Sequence, residues 1–115
     1  MTITVFNDKL DLIDNSIIMV EAELTLIKDS DGGRKFPFNS GYSPNHNFGD
    51  GNNSEFYIGR ITTENNENVY PGSVVTVKIS FLNVRGLDSD LRHVGKWTIQ
   101  EGYKIIGYAR VLKIT

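Results

Sequence analysis

The stretch Ile18-Met19-Val20-Glu21-Ala22-Glu23-Leu24-Thr25-Leu26 puts an apolar residue at every even position, with Glu21, Glu23 and Thr25 between them. Successive side chains of a strand point to opposite faces, so this alternation predicts a strand with one face on a core and one in water. The stretch from residue 73 to 83 repeats the pattern, with Val75, Val77, Ile79 and Phe81 alternating with Thr76, Lys78 and Ser80. Shorter runs at 56–63 and 96–100, the second with Trp97 and Ile99 on one side, read as further strands. Between the latter and the last run, 104–114, lies Glu101-Gly102, which predicts a tight hairpin because Gly accepts the positive φ that a two-residue turn requires. In that last run Ile105, Gly107, Ala109 and Val111 share one face, and Ile106, Tyr108, Arg110, Leu112 and Ile114 the other. Apolar groups stand on both, so either both faces are covered or one meets a partner.

Turn-forming clusters separate these runs: residues 29–33 (DSDGG), 49–54 (GDGNNS), 64–68 (ENNEN) and Pro71-Gly72. No stretch carries a convincing helical period. Five or six strands without helices predict an all-β domain, and closure into a small antiparallel β-barrel removes the exposed edges such a chain would otherwise present. Ahead of the first strand, Ile3 and Val5 alternate and Leu10, Leu12 and Ile13 follow, so residues 1–16 read as an N-terminal arm or extra strand and 17–115 as the barrel.

A chain of 115 residues has room for one such domain, and 39% hydrophobic with 23% charged residues is the balance of an ordinary globular protein. No apolar run reaches the roughly 18 residues of a bilayer span, so no membrane partner is expected. Asp8, Asp11 and Asp14 with Lys9 near the start do not resemble the basic-then-apolar pattern of a signal peptide, which points to the cytoplasm. With no Cys, disulfides, thiol nucleophiles and thiolate metal sites are excluded, and the only imidazoles are His46 and His93. His46 reads as part of an exposed loop and His93 as part of a polar connection. Asp29-x-Asp31 and Asp50-x-Asn52-x-Ser54-Glu55 hold fragments of a calcium loop without the remaining ligands, and turns use the same residues to bond their own backbone. The sequon Asn52-Asn53-Ser54 reads as plain loop, and no phosphate-binding string with its Gly-Lys-Ser/Thr end occurs. No metal, cofactor, bound nucleotide or catalytic residue is expected, and the chain reads as a non-enzyme. Net charge is −2, divided as −6 over residues 1–77 (five Lys/Arg, eleven Asp/Glu) and +4 over 78–115 (seven against three).

One string is more specific than a loop: Gly32-Gly33-Arg34-Lys35-Phe36-Pro37-Phe38-Asn39-Ser40-Gly41-Tyr42-Ser43-Pro44. Without a gap it resembles the stretch that opens the C-terminal β-barrel, domain III, of bacterial elongation factor Tu, where Gly-Gly-Arg-x-x-Pro-Phe-x-x-Gly-Tyr-x-Pro follows a Phe-Glu-Ala-Glu strand. Here that strand is Val20-Glu21-Ala22-Glu23-Leu24. The similarity resumes at Val69-Tyr70-Pro71-Gly72 with Val74 to Lys78, and again at Lys96-Trp97-Thr98-Ile99-Gln100-Glu101-Gly102 with Lys104-Ile105-Ile106-Gly107. Departures lie after Pro44, where the Gly/Asn-rich loop replaces the family's aromatic strand, and in the longer connection 83–95 with Arg85, Arg92 and His93.

The resemblance implies a six-stranded antiparallel barrel that does no chemistry. In the factor this barrel packs on the GTP-binding domain, touches the T-stem backbone of aminoacyl-tRNA and contributes to the exchange-factor interface. Carried onto matching positions, the RNA- or partner-binding candidates are Arg34, Lys35, Asn45 (the family usually has Gln), Glu101 and Gly102. Arg and Lys suit phosphates, and amides with turn N–H groups suit phosphate and 2′-hydroxyl contacts of an A-form stem. The same residues have a structural reading: turn geometry for Gly32, Gly33 and Gly102, an ion pair for Arg34, and packing for Phe36, Pro37, Phe38 and Tyr42. With an arm of about sixteen residues where the factor has its GTPase domain and second barrel, the expectation is a binding module working through a protein partner. That partner would be a translation factor, a toxin or an exchange-factor-like protein, with an immunity or antitoxin-type role as one version. The alternatives are binding of tRNA or structured RNA through the T-stem-facing surface, and a fragment of a split translation factor.

Overall fold

The computed structural model describes residues 4–5, 12–49 and 55–115. Among these residues seven strands follow in chain order: β1 (Thr4–Val5), β2 (Leu12–Leu26), β3 (Asn45–Asn47), β4 (Glu55–Thr62), β5 (Val74–Val84), β6 (Lys96–Glu101) and β7 (Lys104–Ile114). Six of them close a ring of antiparallel pairings, β4-β3-β6-β7-β2-β5 and back to β4. The protein is thus an all-β, six-stranded antiparallel barrel. β1 lies outside that ring and runs parallel to the start of β4, Thr4 beside Glu55 and Val5 beside Phe56.

The period-two stretches form the longest ladder. Val20 pairs with Ile79, Ala22 with Val77 and Leu24 with Val75, so the alternating apolar residues of β2 and β5 meet on the inner face. Trp97, Ile99 and Ala109 complete the lining from β6 and β7, and all these side chains but the half-buried Val75 are shielded from water. Burying each large apolar side chain contributes roughly 1.5–3 kcal/mol, which is why the register follows the hydrophobic pattern. The β6–β7 hairpin pairs Glu101 with Lys104, so its two loop residues are Gly102 and Tyr103, one position later than the sequence reading. Before the regular ladder, residues 13–16 of β2 bulge against a single residue of β5, Asn83. The Asp14 carboxylate closes that bulge by accepting from the Ser16 backbone N–H (2.8 Å) and the Asn83 amide (3.2 Å).

Two sequence expectations are corrected. The connection after β5 is helical, with a short turn α1 (Leu87–Ser89) running into a wider turn at Asp90–Val94. Leu87 and Leu91, four residues apart, fall on one face and enter the core, and the Tyr57 hydroxyl donates to Asp90 Oδ2 at 2.8 Å, tying the segment down. His93 is on its exposed side, its Nδ1 3.1 Å from the Ser89 carbonyl.

The second correction is His46. It is fully buried inside the barrel, in β3, instead of lying in an exposed loop. Its Nδ1 accepts from Trp97 Nε1 at 2.9 Å, which leaves Nε2 to donate to the Gly59 carbonyl at 3.0 Å, so the partners fix a neutral tautomer. Burial pushes its pKa down to about 4, the bond to the Gly59 carbonyl opposing. The close approach requires glycine, since a Cβ at position 59 would stand 2.6 Å from Phe81, 2.8 Å from Ile79 and 2.9 Å from His46 Nε2.

Candidate functional site

The irregular segment from Gly32 to Pro44 is stitched to the barrel at two points. Phe38 exchanges backbone hydrogen bonds with Val69 at 3.1 and 2.7 Å, and Gly41 and Tyr42 bond to Ile61 at 2.9 and 2.8 Å. Its start is a turn in which Gly32 takes φ +94° and Gly33 packs so closely that a Cβ would lie 2.0 Å from the Ile27 carbonyl oxygen. That turn ejects Arg34 toward the β6–β7 hairpin, sixty-seven residues away in sequence.

There Arg34 makes an ion pair with Glu101, and its Nη1 also donates to the Tyr42 hydroxyl at 3.2 Å. Tyr42 in turn donates to Glu101 Oε2 at 2.6 Å, closing a three-membered network. The guanidinium carbon stands 4.8 Å above the Tyr42 ring centroid, and Phe38 packs that ring at 4.5 Å. A third guanidinium bond, from Nε to the Phe36 carbonyl at 3.1 Å, holds the turn itself. Burial, reinforced by the bond to the Glu101 carboxylate, raises the pKa of the Tyr42 phenol far above its ordinary value, so the group works only as a hydrogen-bond donor and acceptor.

Of the five residues picked out in the sequence, Arg34 and Glu101 come together directly, and Gly102 follows Glu101 in the hairpin loop. Asn45 stands one ladder position away, cross-strand from Gln100, half-buried at the start of β3. Lys35 is exposed on the same turn. Two further residues belong to this surface. Tyr42, read as packing, bridges the ion pair. Phe36, also read as packing, is 72% exposed, while Phe38 takes the buried place; Tyr103, half exposed, is in the adjoining hairpin loop. Extended chain would put Phe36 and Phe38 on one face, and the turn that splits them has no hydrophobic period to announce it.

No protein-family model matches the chain. Among the described residues no group of three His, Asp or Glu side chains could hold a metal ion, and no helix is long and apolar enough to cross a membrane. Asp29 and Asp31 form a short 3-10 turn that leads into Gly32. Residues 50–54, which carry most of the Gly/Asn-rich loop, the second calcium-like fragment and the sequon, lie outside the described residues, as do residues 1–3 and 6–11 of the arm.

Proposed function

We propose that this chain is a non-catalytic binding module resembling the C-terminal barrel of elongation factor Tu, acting by protein–protein contact as a mimic or modulator in a translation-linked process. An immunity or antitoxin-type protein that titrates a toxin docking on the factor is one concrete form. The supporting observation is that two of the resembling blocks, far apart in sequence, meet in the Arg34–Tyr42–Glu101 network with Phe36 exposed beside it. Arg34 spends its charge on Glu101, which disfavours a phosphate there, and an exposed aromatic next to a held Arg is what protein interfaces select. Lys35, exposed on the same turn, supports binding of tRNA or structured RNA as the second reading.

A competition experiment tests this. Purified chain is added to elongation factor Tu together with its exchange factor, and to RNase-treated bacterial lysate in a pull-down. The expected result is capture of a defined protein that resists RNase, is displaced by the factor, and is lost with Phe36→Ala and Arg34→Glu. Enrichment of tRNA instead, released at moderate salt and lost in an Arg34→Ala, Lys35→Ala double variant, would replace the protein reading with the RNA one.

A further inference from the structure

On another side of the barrel, the outer faces of β2, β7 and β6 form an open groove of about 510 Å³. The register sets its floor in two rows. Thr25, Tyr108 and Thr98 stand side by side in one, and Glu23, Arg110 and Lys96 in the next. Val94 and Phe48 add apolar lining, Phe48 stacked on Trp97 at 4.7 Å. Tyr108 and Val94 are about half exposed (50% and 49%), and beyond Arg110 the β7 ladder bulges at Leu112, itself 43% exposed. An apolar strip of this kind on an otherwise polar sheet face marks a contact surface.

Its charges are unequal. Arg110 is held by both oxygens of Glu23, Nε to Oε1 at 3.0 Å and Nη2 to Oε2 at 3.2 Å. Lys96 is the direct cross-strand neighbour of Arg110 and makes no ion pair among the described residues. The row therefore carries two cations against one carboxylate, and like charges placed opposite each other on a sheet are unfavourable until an anion joins them. The groove is open along its length, so a compact small molecule would stay wet on one side, whereas an extended chain can run from Tyr108 past Lys96 to Val94 and cover all three.

The geometry points to a docking groove for an extended acidic-aromatic segment of a partner protein, its apolar side chain against Tyr108 and Val94 and its carboxylate on Lys96. This surface is separate from the Arg34 network, and the proposal stands whether or not that network binds a partner.

Trp97 is the sole tryptophan and stacks from the core side on Phe48, which lines the groove, so its emission reports occupancy through Phe48. The probes are fluorescein-labelled decapeptides alternating Asp or Glu with Phe, Tyr or Leu, and a matched set carrying Lys in place of the acidic residues. The acidic set is expected to bind saturably, to perturb Trp97 emission in its unlabelled form, and to weaken about tenfold or more with Lys96→Glu and with Tyr108→Ser. Both positions are on the exposed sheet surface, and unchanged circular dichroism and melting verify that the variants fold. Phe36→Ala should bind the peptides as the parent does, which separates this groove from the surface proposed above. Failure of every acidic peptide to bind, equal binding of the Lys-containing set, or indifference to Lys96→Glu would overturn the proposal.

Discussion

His46, Trp97 and Gly59 form a chain of hydrogen bonds inside the barrel; Arg34, Tyr42 and Glu101 form another on its surface. Each has three members and each ties together segments distant in sequence. Inside, no member is charged and both ring nitrogens are satisfied, so the unit behaves as part of the core, where an unmatched polar atom costs far more than a matched one returns. Outside, the charges cancel each other in partial contact with water, where an ion pair adds little to stability. The difference teaches that the inner trio should govern whether the barrel stands, and that the outer trio is free to serve the proposed contact surface. Substitutions and pH can break or sharpen that division.

The largest effect expected is on pH. In the unfolded chain His46 titrates near 6.5, and in the folded chain near 4. Between those values the unfolded state takes up a proton that the folded state refuses, so this contribution is fully present above about pH 6.5 and falls away as pH drops toward 4. A gap of this size corresponds to about 3 kcal/mol. Urea denaturation at stepped pH should show the loss, and a His46→Gln variant, whatever its stability at neutral pH, should lack that component of the slope. A parent protein as stable at pH 4.5 as at pH 7 would contradict the buried neutral imidazole.

Next comes Gly59→Ala. The new methyl would press on Phe81, Ile79 and the imidazole at once, and all three are buried in the core. Overpacking of this kind costs about 2–3 kcal/mol, readable as a lowered melting temperature. Trp97→Phe should cost about 2 kcal/mol by leaving Nδ1 of His46 without its donor. It should also weaken the pH dependence, because the lone pair that Trp97 occupies becomes free to take a proton.

These positions also mark where the sequence was readable. The β2, β5 and β7 strands and the closed barrel follow from alternation and turn chemistry, because burying one face of a strand forces a period of two. Asn45-His46-Asn47 carries no apolar residue, so the pattern that locates strands elsewhere is silent there. His46 is inward only because Trp97, fifty-one positions later, and the side-chain-free Gly59 make a dry place for it. Leu87 and Leu91 did carry a helical spacing, in a segment too short to distinguish from a connection. At the surface, the motif singled out Arg34, Glu101 and Gly102 without showing that Arg34 pairs with Glu101, and the exposure of Phe36 and the bridging role of Tyr42 depend on how one glycine turn aims the chain.

The smallest stability effect is expected from Tyr42→Phe, and it is the sharpest test of the division between the trios. The ring stays packed against Phe38 and beneath the Arg34 guanidinium, and Arg34 keeps its direct ion pair with Glu101. Only the hydroxyl is lost, and with it the bond that fixes the carboxylate from the second side. Stability should change by about 1 kcal/mol or less. The Arg34–Glu101 pair should become freer to turn, so capture of a protein partner should weaken by more than the melting temperature suggests. Equal, small losses in both measurements would mean that the outer network merely trims the fold, and a large drop in melting temperature would mean that it belongs with the inner trio.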